Sequence, residues 1–170
     1  MKGRSKYEIV IRYILGLIMV AYGLIKIFQI QFRLPPSSYE IPLGHLDGIT
    51  LTWAFLGYNS WFAFLLGIFE FLSGVLLLFK STKLMGGILL LPTLIAIFLI
   101  NNAFGFLTYM RIFTGFLLLL NILLLANHLN ILKLIVKKIV CTQPKNPQIE
   151  LIFNFTLISI VIFLVVFYLL

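Results

Sequence analysis

"GIFEFLSGVLLLFK", residues 67–80, sets one carboxylate in a stretch that otherwise reads as a membrane crossing. Glu70 stands ten positions after Ser60 and ten before Lys80, and the rest of 60–79 is apolar or small. About 20 apolar residues in a helix span the hydrocarbon core of a bilayer. The segment is therefore read as a crossing with an acid near mid-depth. A charge there costs from about 3 to more than 10 kcal/mol and persists only if it is paired, neutralised or wetted. Two questions follow: which fold surrounds the segment, and which group meets the acid.

Composition answers the first in outline. The chain has 170 residues, is 62% hydrophobic and has a mean hydropathy of +1.13. Soluble domains are roughly 45–50% apolar, and a chain of this size has too little interior to hide the excess. The formal charge is +8, but the cations sit at the ends of apolar runs. Membrane topology explains them better than nucleic acid does, so no nucleic-acid partner is expected. The lone cysteine, Cys141, excludes an internal disulfide framework. The two histidines, His45 and His128, are too few for most metal sites. No metal site, catalytic set or cofactor is evident. The first apolar run is as long as a crossing and no small-residue cleavage site follows it, so "MKGRSKYE" is expected to stay attached.

Five runs approach the crossing length: about 11–31, 60–79, 84–103, 110–129 and 150–170. Asn59-Ser60 is expected to cap the second and Ser81-Thr82 the third. Ten of the thirteen basic residues fall on one side of this layout: Lys2, Arg4, Lys6, Arg12, Lys80, Lys83, Lys133, Lys137, Lys138 and Lys145. The positive-inside rule then puts the N-terminus in the cytoplasm and the C-terminus outside. Residues 45–58 are too short to cross and carry Trp53 and Tyr58, which suit an interface; they read as a re-entrant or surface helix on the outer side, with Asp47 as its cap. "LNILKLIVKKIV" (129–140) reads equally as a basic interfacial helix or as a solvated extension of the fourth crossing.

The expected fold is all-α: an antiparallel four-helix transmembrane bundle plus a fifth C-terminal transmembrane helix. Its parts are a cytoplasmic N-terminus (1–10), the four-span bundle (11–129), a basic linker or interfacial helix (130–148) and the last crossing (149–170). The isoleucine, asparagine, lysine and phenylalanine bias hints at an AT-rich bacterial genome. The expected location is thus a bacterial cytoplasmic (inner) membrane, with the C-terminus on the periplasmic or outer side.

The second question turns on Lys26. It lies about five residues from the outer end of the first run, and Glu70 about ten from the outer end of the second. At 1.5 Å per residue those depths differ by roughly 7–8 Å, a gap the two stems can close. The helical face of Lys26 also carries Gly16, Met19, Tyr22 and Gly23, and that of Glu70 carries Gly67 and Gly74. Small residues beside a polar one suit close helix contact in lipid. Gly16, Gly23, Gly67 and Gly74 are therefore the expected packing positions. Asn101, Asn102 and Arg111 gather toward the outer half. With Lys26, Glu70 and Tyr22 they form the candidate cluster, which either holds the helices in register or lines a cavity that opens outward.

The same residues carry a family resemblance. "RYILGLIMVAYGLIKIF", with Arg12, Gly16, Gly23 and Lys26, resembles the first helix of the DoxX-like membrane proteins. Residues 52–90 resemble the family's next stretch through Trp53, Gly67, Glu70, Gly74, Leu78, Lys80, Thr82 and Gly86. "NNAFG" and Arg111 sit where relatives have an asparagine and a basic residue. "AFGFLTYMR" departs from an aspartate-proline stretch that some relatives carry. The resemblance covers about 11–129 and implies a four-helix bundle. It also implies, for some relatives, links to quinone-dependent redox systems, and for others accessory roles.

Three functions follow as expectations. The first is an accessory subunit of a membrane complex, not an enzyme on its own, with the lipid bilayer and other membrane subunits as partners. The second is a quinone- or lipid-binding subunit of a redox system, with Glu70, Lys26 and Tyr22 meeting the ligand. The third is a small transporter, for which four or five helices without an inverted repeat leave little room.

Overall fold

Apolar runs of crossing length, broken by short polar or glycine-bearing turns, fold into seven α-helices among the described residues. The computed structural model describes residues 2–140 and 147–169. Its helices are α1 (Lys2–Ile27), α2 (Gly48–Gly57), α3 (Ser60–Leu78), α4 (Lys83–Ala103), α5 (Thr108–Ala126), α6 (Leu129–Val140) and α7 (Pro147–Leu169), with no strand among the described residues. Among the described residues, four stretches are long and apolar enough to cross a membrane: Lys6–Ile27 within α1, and α3, α4 and α5. The all-helical membrane bundle expected from the sequence is what forms.

The chain divides into two units, Met1–Leu129 and Asn130–Leu170. In the first, α1 packs on α3, α3 on α4, α4 on α5, and α5 back on α1, which closes a four-helix ring. Its centre is leucine-rich: Leu15 and Met19 from α1, Leu77 from α3, Leu90 and Leu94 from α4, Leu117 and Leu124 from α5. Outward faces stay apolar because lipid is their solvent, as at Leu17, Phe69, Leu99 and Leu119.

Lipid gives helices no hydrophobic reason to associate, so backbone proximity and polar contacts decide the packing. The α1–α3 seam shows this. A Cβ on Gly23 would lie 2.7 Å from the Gly67 carbonyl oxygen, and one on Gly67 would lie 2.8 Å from the Gly23 oxygen. Further along, a Cβ on Gly74 would lie 2.8 Å from the Gly16 oxygen. The pairs 23/67 and 16/74 run in opposite senses, so the two helices are antiparallel. Between α4 and α5, the fully buried Asn121 donates Nδ2–H to the Gly87 carbonyl at 3.1 Å.

Three local expectations need correction. The first crossing stops at Ile27, not near residue 31, because the chain turns at Gln29, whose φ is +55°. Asn59 and Thr82 occupy the N-cap positions of α3 and α4, but neither side chain caps an amide. The Thr82 hydroxyl instead donates back to the Leu76 carbonyl, 2.8 Å away, and so ties the α3–α4 turn shut.

Asp47 does cap α2, accepting from the amides of Ile49 and Thr50 at 3.0 Å each. The Thr50 hydroxyl, then the Thr50 and Ile49 amides, hold this exposed carboxyl below the ordinary aspartate range. Helix α2 lies close on two loops: a Cβ on Gly48 would strike the Phe104 carbonyl, and one on Gly57 the Phe32 carbonyl.

In the second unit, α6 is exposed at its described side chains apart from the half-buried Leu132, and it carries Lys133, Lys137 and Lys138. A turn at Asn127–His128 separates it from α5, so 129–140 is a helix of its own. The expected fifth crossing coincides with α7, whose apolar stretch among the described residues is Leu151–Phe163. Residues 141–146, the greater part of the expected proline-bearing link, lie outside the described residues.

Candidate functional site

The glycine seam sets the register that brings the buried acid to its partner. With Gly23 opposite Gly67 and Gly16 opposite Gly74, Glu70 lies level with about position 20 of α1, and Lys26 stands about 9 Å further along. Side chains on a helix lean toward its N-terminus. On antiparallel helices, Lys26 therefore leans toward Glu70 and Glu70 toward Lys26. The Lys26 ammonium donates to Glu70 Oε1 in a salt bridge whose side chains are 6% and 2% exposed. Lys26 stands one residue from the end of α1 and still reaches, because this lean makes up for the shorter helix.

Two aromatic rings flank the ammonium. The Tyr22 and Phe32 centroids each lie 5.9 Å from Lys26 Nζ, close enough for a cation–π contribution. Phe32 holds a φ of +69°, an uncommon conformation for a bulky residue and one that clusters at functional sites. Its ring meets Trp53 of α2 edge-on at 6.1 Å. The sequence reading did not single out Phe32, since backbone strain leaves no signal in residue spacing.

Two cavities meet at this point. One, of about 480 Å³, is walled by Met19, Tyr22, Leu94, Phe113 and Leu117. The other, of about 490 Å³, is walled by Phe62, Leu66, Phe69, Glu70 and Pro92 beneath α2. Lys26, Gln31, Trp53, Ile97, Asn101 and Phe106 line both. Each volume is in the range of small-molecule sites, and the walls have the usual composition: mostly apolar, with a few convergent polar groups. Asn101 is buried at the shared wall and donates Nδ2–H to Thr114 Oγ1 at 3.3 Å. Glu70 Oε2 and Gln31 Oε1 are buried with no hydrogen-bond partner among the described residues.

The structure does not bring the whole expected cluster together. Asn102 points away, exposed, and donates to the Phe98 carbonyl of its own helix at 2.7 Å. Arg111 lines neither cavity; its Nη2 reaches Thr108 Oγ1 of its own first turn at 3.3 Å. Adjacent residues on a helix face about 100° apart, so Asn101 and Asn102 cannot share one wall. Gln31 and Thr114 stand in the places assigned to them.

The opposite end of α1 holds a second polar group that sequence spacing did not reveal. Arg12 is buried and donates Nε–H to the Leu77 carbonyl at 2.9 Å and Nη2–H to that of Leu78 at 2.8 Å. It thereby satisfies carbonyls at the end of α3, which have no partner within the helix. Glu8 Oε1 forms a salt bridge with Lys83 and lies 3.3 Å from His128 Nε2, so one oxygen joins α1, α4 and the turn after α5. No group of three or more metal-ligating side chains gathers among the described residues.

A family model described as DoxX matches residues 8–102, which covers Glu8, Arg12, Lys26, Glu70 and Asn101. An uncharacterized protein of Bacillus subtilis (strain 168), YwoB, is 32% identical over 101 residues, 59% of this chain. The match covers 64% of that relative's length. No solved structure matches the chain at a significant level.

Proposed function

The chain belongs to the DoxX family of membrane proteins, and from that premise we propose that it holds an amphiphilic molecule, of the lipid or quinone class, within its bundle. The observation that carries this reading is the meeting of two apolar cavities, about 480 and 490 Å³, at one buried ion pair. An apolar chain or ring fills the cavities, and the polar end meets Lys26 and Asn101 at their shared wall and Glu70 beside them in the second cavity. Such a ligand needs no metal. Any electron transfer through it would need a partner protein.

Ten of the chain's thirteen cations fall on one side of the topology, which supports a cytoplasmic N-terminus in a bacterial inner membrane. In this reading the chain serves a larger membrane complex as an accessory component. Exposed apolar side chains on α7 and the lysines of α6 supply surfaces for that contact.

The test is extraction of small molecules from protein purified in mild detergent. One amphiphile per chain should be retained by the native protein and lost on Ile97→Trp, which fills the wall common to both cavities. Equal retention by the two proteins would show that the bound molecule is annular lipid and would end this reading.

A further inference from the structure

We propose that the polar end of the bound amphiphile is a hydrogen-bond donor, a hydroxyl, which it gives to Glu70 Oε2; this rests on the cavity reading above. The two oxygens of Glu70 have different surroundings. Oε1 accepts from Lys26, whereas Oε2 is buried with no donor among the described residues. The side chain is 2% exposed and lines the cavity beneath α2.

An ionised carboxylate oxygen only accepts hydrogen bonds. A buried acceptor with no partner carries an unfavourable free energy of desolvation, which a ligand hydroxyl removes. The other groups at the wall do not reverse this preference. Asn101 gives one of its two amide hydrogens to Thr114. The Gln31 amide can turn to present either its oxygen or its nitrogen, so it suits donor and acceptor alike. The Lys26 ammonium gives one of its three N–H groups to Glu70 Oε1 and lies between the Tyr22 and Phe32 rings. The wall therefore favours a hydroxyl, which donates to Glu70 Oε2 while accepting from a remaining N–H; an ether or ketone only accepts and leaves Oε2 unpaired. The ligand class it selects is a long-chain alcohol or a tailed phenol, over the ether or ketone of the same shape.

A matched pair of probes reads this directly: a long-chain para-alkylphenol and its methyl ether, which keeps the body and lacks the donor. Trp61 is exposed on α3 and Trp53 lines both cavities, so Trp61→Phe leaves a single reporting tryptophan. The full chain in nanodiscs is titrated with each probe, with concentration expressed as mole fraction in the bilayer. The phenol should bind about tenfold or more tighter than the ether, the ratio expected of a hydrogen bond to a charged group.

The second arm is Lys26→Met/Glu70→Leu, which replaces the buried pair by apolar side chains of similar size, a change that folds often tolerate. There the ratio should fall to about one while the ether still binds. Equal affinities in the native chain, or a phenol preference that persists in the double variant, would overturn the hydroxyl assignment and leave the cavity in place. Binding of neither probe would remove the cavity reading and this assignment together.

Discussion

Helix α1 is held at each end by a carboxylate paired with a lysine, and the two pairs sit in opposite surroundings. Lys26 and Glu70 are 6% and 2% exposed, beside two apolar cavities. Lys83 and Glu8 are 18% and 16% exposed, and His128 joins them. The same chemistry therefore has different consequences. A sealed pair is expensive to leave half-made, whereas a wet one is screened by salt and water. The sealed pair is also the one with an unsatisfied oxygen, which is why the candidate site lies there. At the wet end, Arg12 and Lys83 spend their hydrogen bonds on holding helices together.

The sharpest way to break this contrast is to remove one partner at the sealed end. Lys26→Met alone leaves a carboxylate in the interior and should destabilise the protein by about 3–5 kcal/mol, as breaking buried pairs generally does. Lys26→Met/Glu70→Leu should recover most of that loss. Thermal unfolding in detergent of the two single variants and the double variant measures the coupling. Additive losses would mean that the two side chains do not act as a pair.

Next in size is the seam that aligns the pair. Gly67→Ala places a methyl 2.8 Å from the Gly23 carbonyl oxygen and 2.9 Å from the Ile27 nitrogen. Backbone cannot move aside as a side chain tip can, so the helices must separate. The expected cost is about 3 kcal/mol, the upper part of the overpacking range. Gly44→Ala, with nothing within 4 Å of the new methyl, serves as the control and should change the melting temperature little. A Gly67→Ala protein as stable as that control would show that the seam is looser than described.

These two positions mark what residue spacing reveals and what it does not. Glu70 was legible because an acid in an apolar run has no cheap explanation. Lys26 was legible because its depth lies within reach of the two stems and its helical face carries the small residues of a packed seam. Glycines at 16, 23, 67 and 74 followed from helical periodicity. The wet end was not legible: Glu8 and His128 are 120 positions apart, and no local pattern records that a closed ring brings them together. Arg12 read as a topology marker, yet its guanidinium turns inward to the carbonyls of Leu77 and Leu78. Asn102 and Arg111 were assigned by depth alone. Depth fixes height in the bilayer but leaves the angle around the helix open, and by angle both fall outside the cavities.

At the wet end the expected effect is smaller. Glu8→Gln should cost about 0.2–1 kcal/mol, the range of partly exposed ion pairs. The loss should shrink as salt rises from about 0.05 to 1 M, where the screening length falls to about 3 Å. The Lys26–Glu70 coupling should hardly move over the same range. If both ends respond alike to salt, their difference in burial has no electrostatic consequence.

Asp47 extends the comparison to an exposed carboxylate. It caps α2, the helix that covers the second cavity and supplies Trp53. The Thr50 hydroxyl and the Thr50 and Ile49 amides favour its ionised form, so its folded pKa lies below the unfolded value. The cap's contribution is therefore complete above the ordinary aspartate value of about 3.9, and it is lost as pH falls through the lower folded value. Hydrogen-exchange protection at the Ile49 and Thr50 amides, corrected for intrinsic rates, should drop across that acid window. Asp47→Asn keeps a good capping side chain without the titration, so its protection should stay level. A parallel fall in the variant would place the acid sensitivity elsewhere in the loop. A fall confined to the native protein would show that the first turn of α2, over the second cavity, loosens as Asp47 takes up its proton.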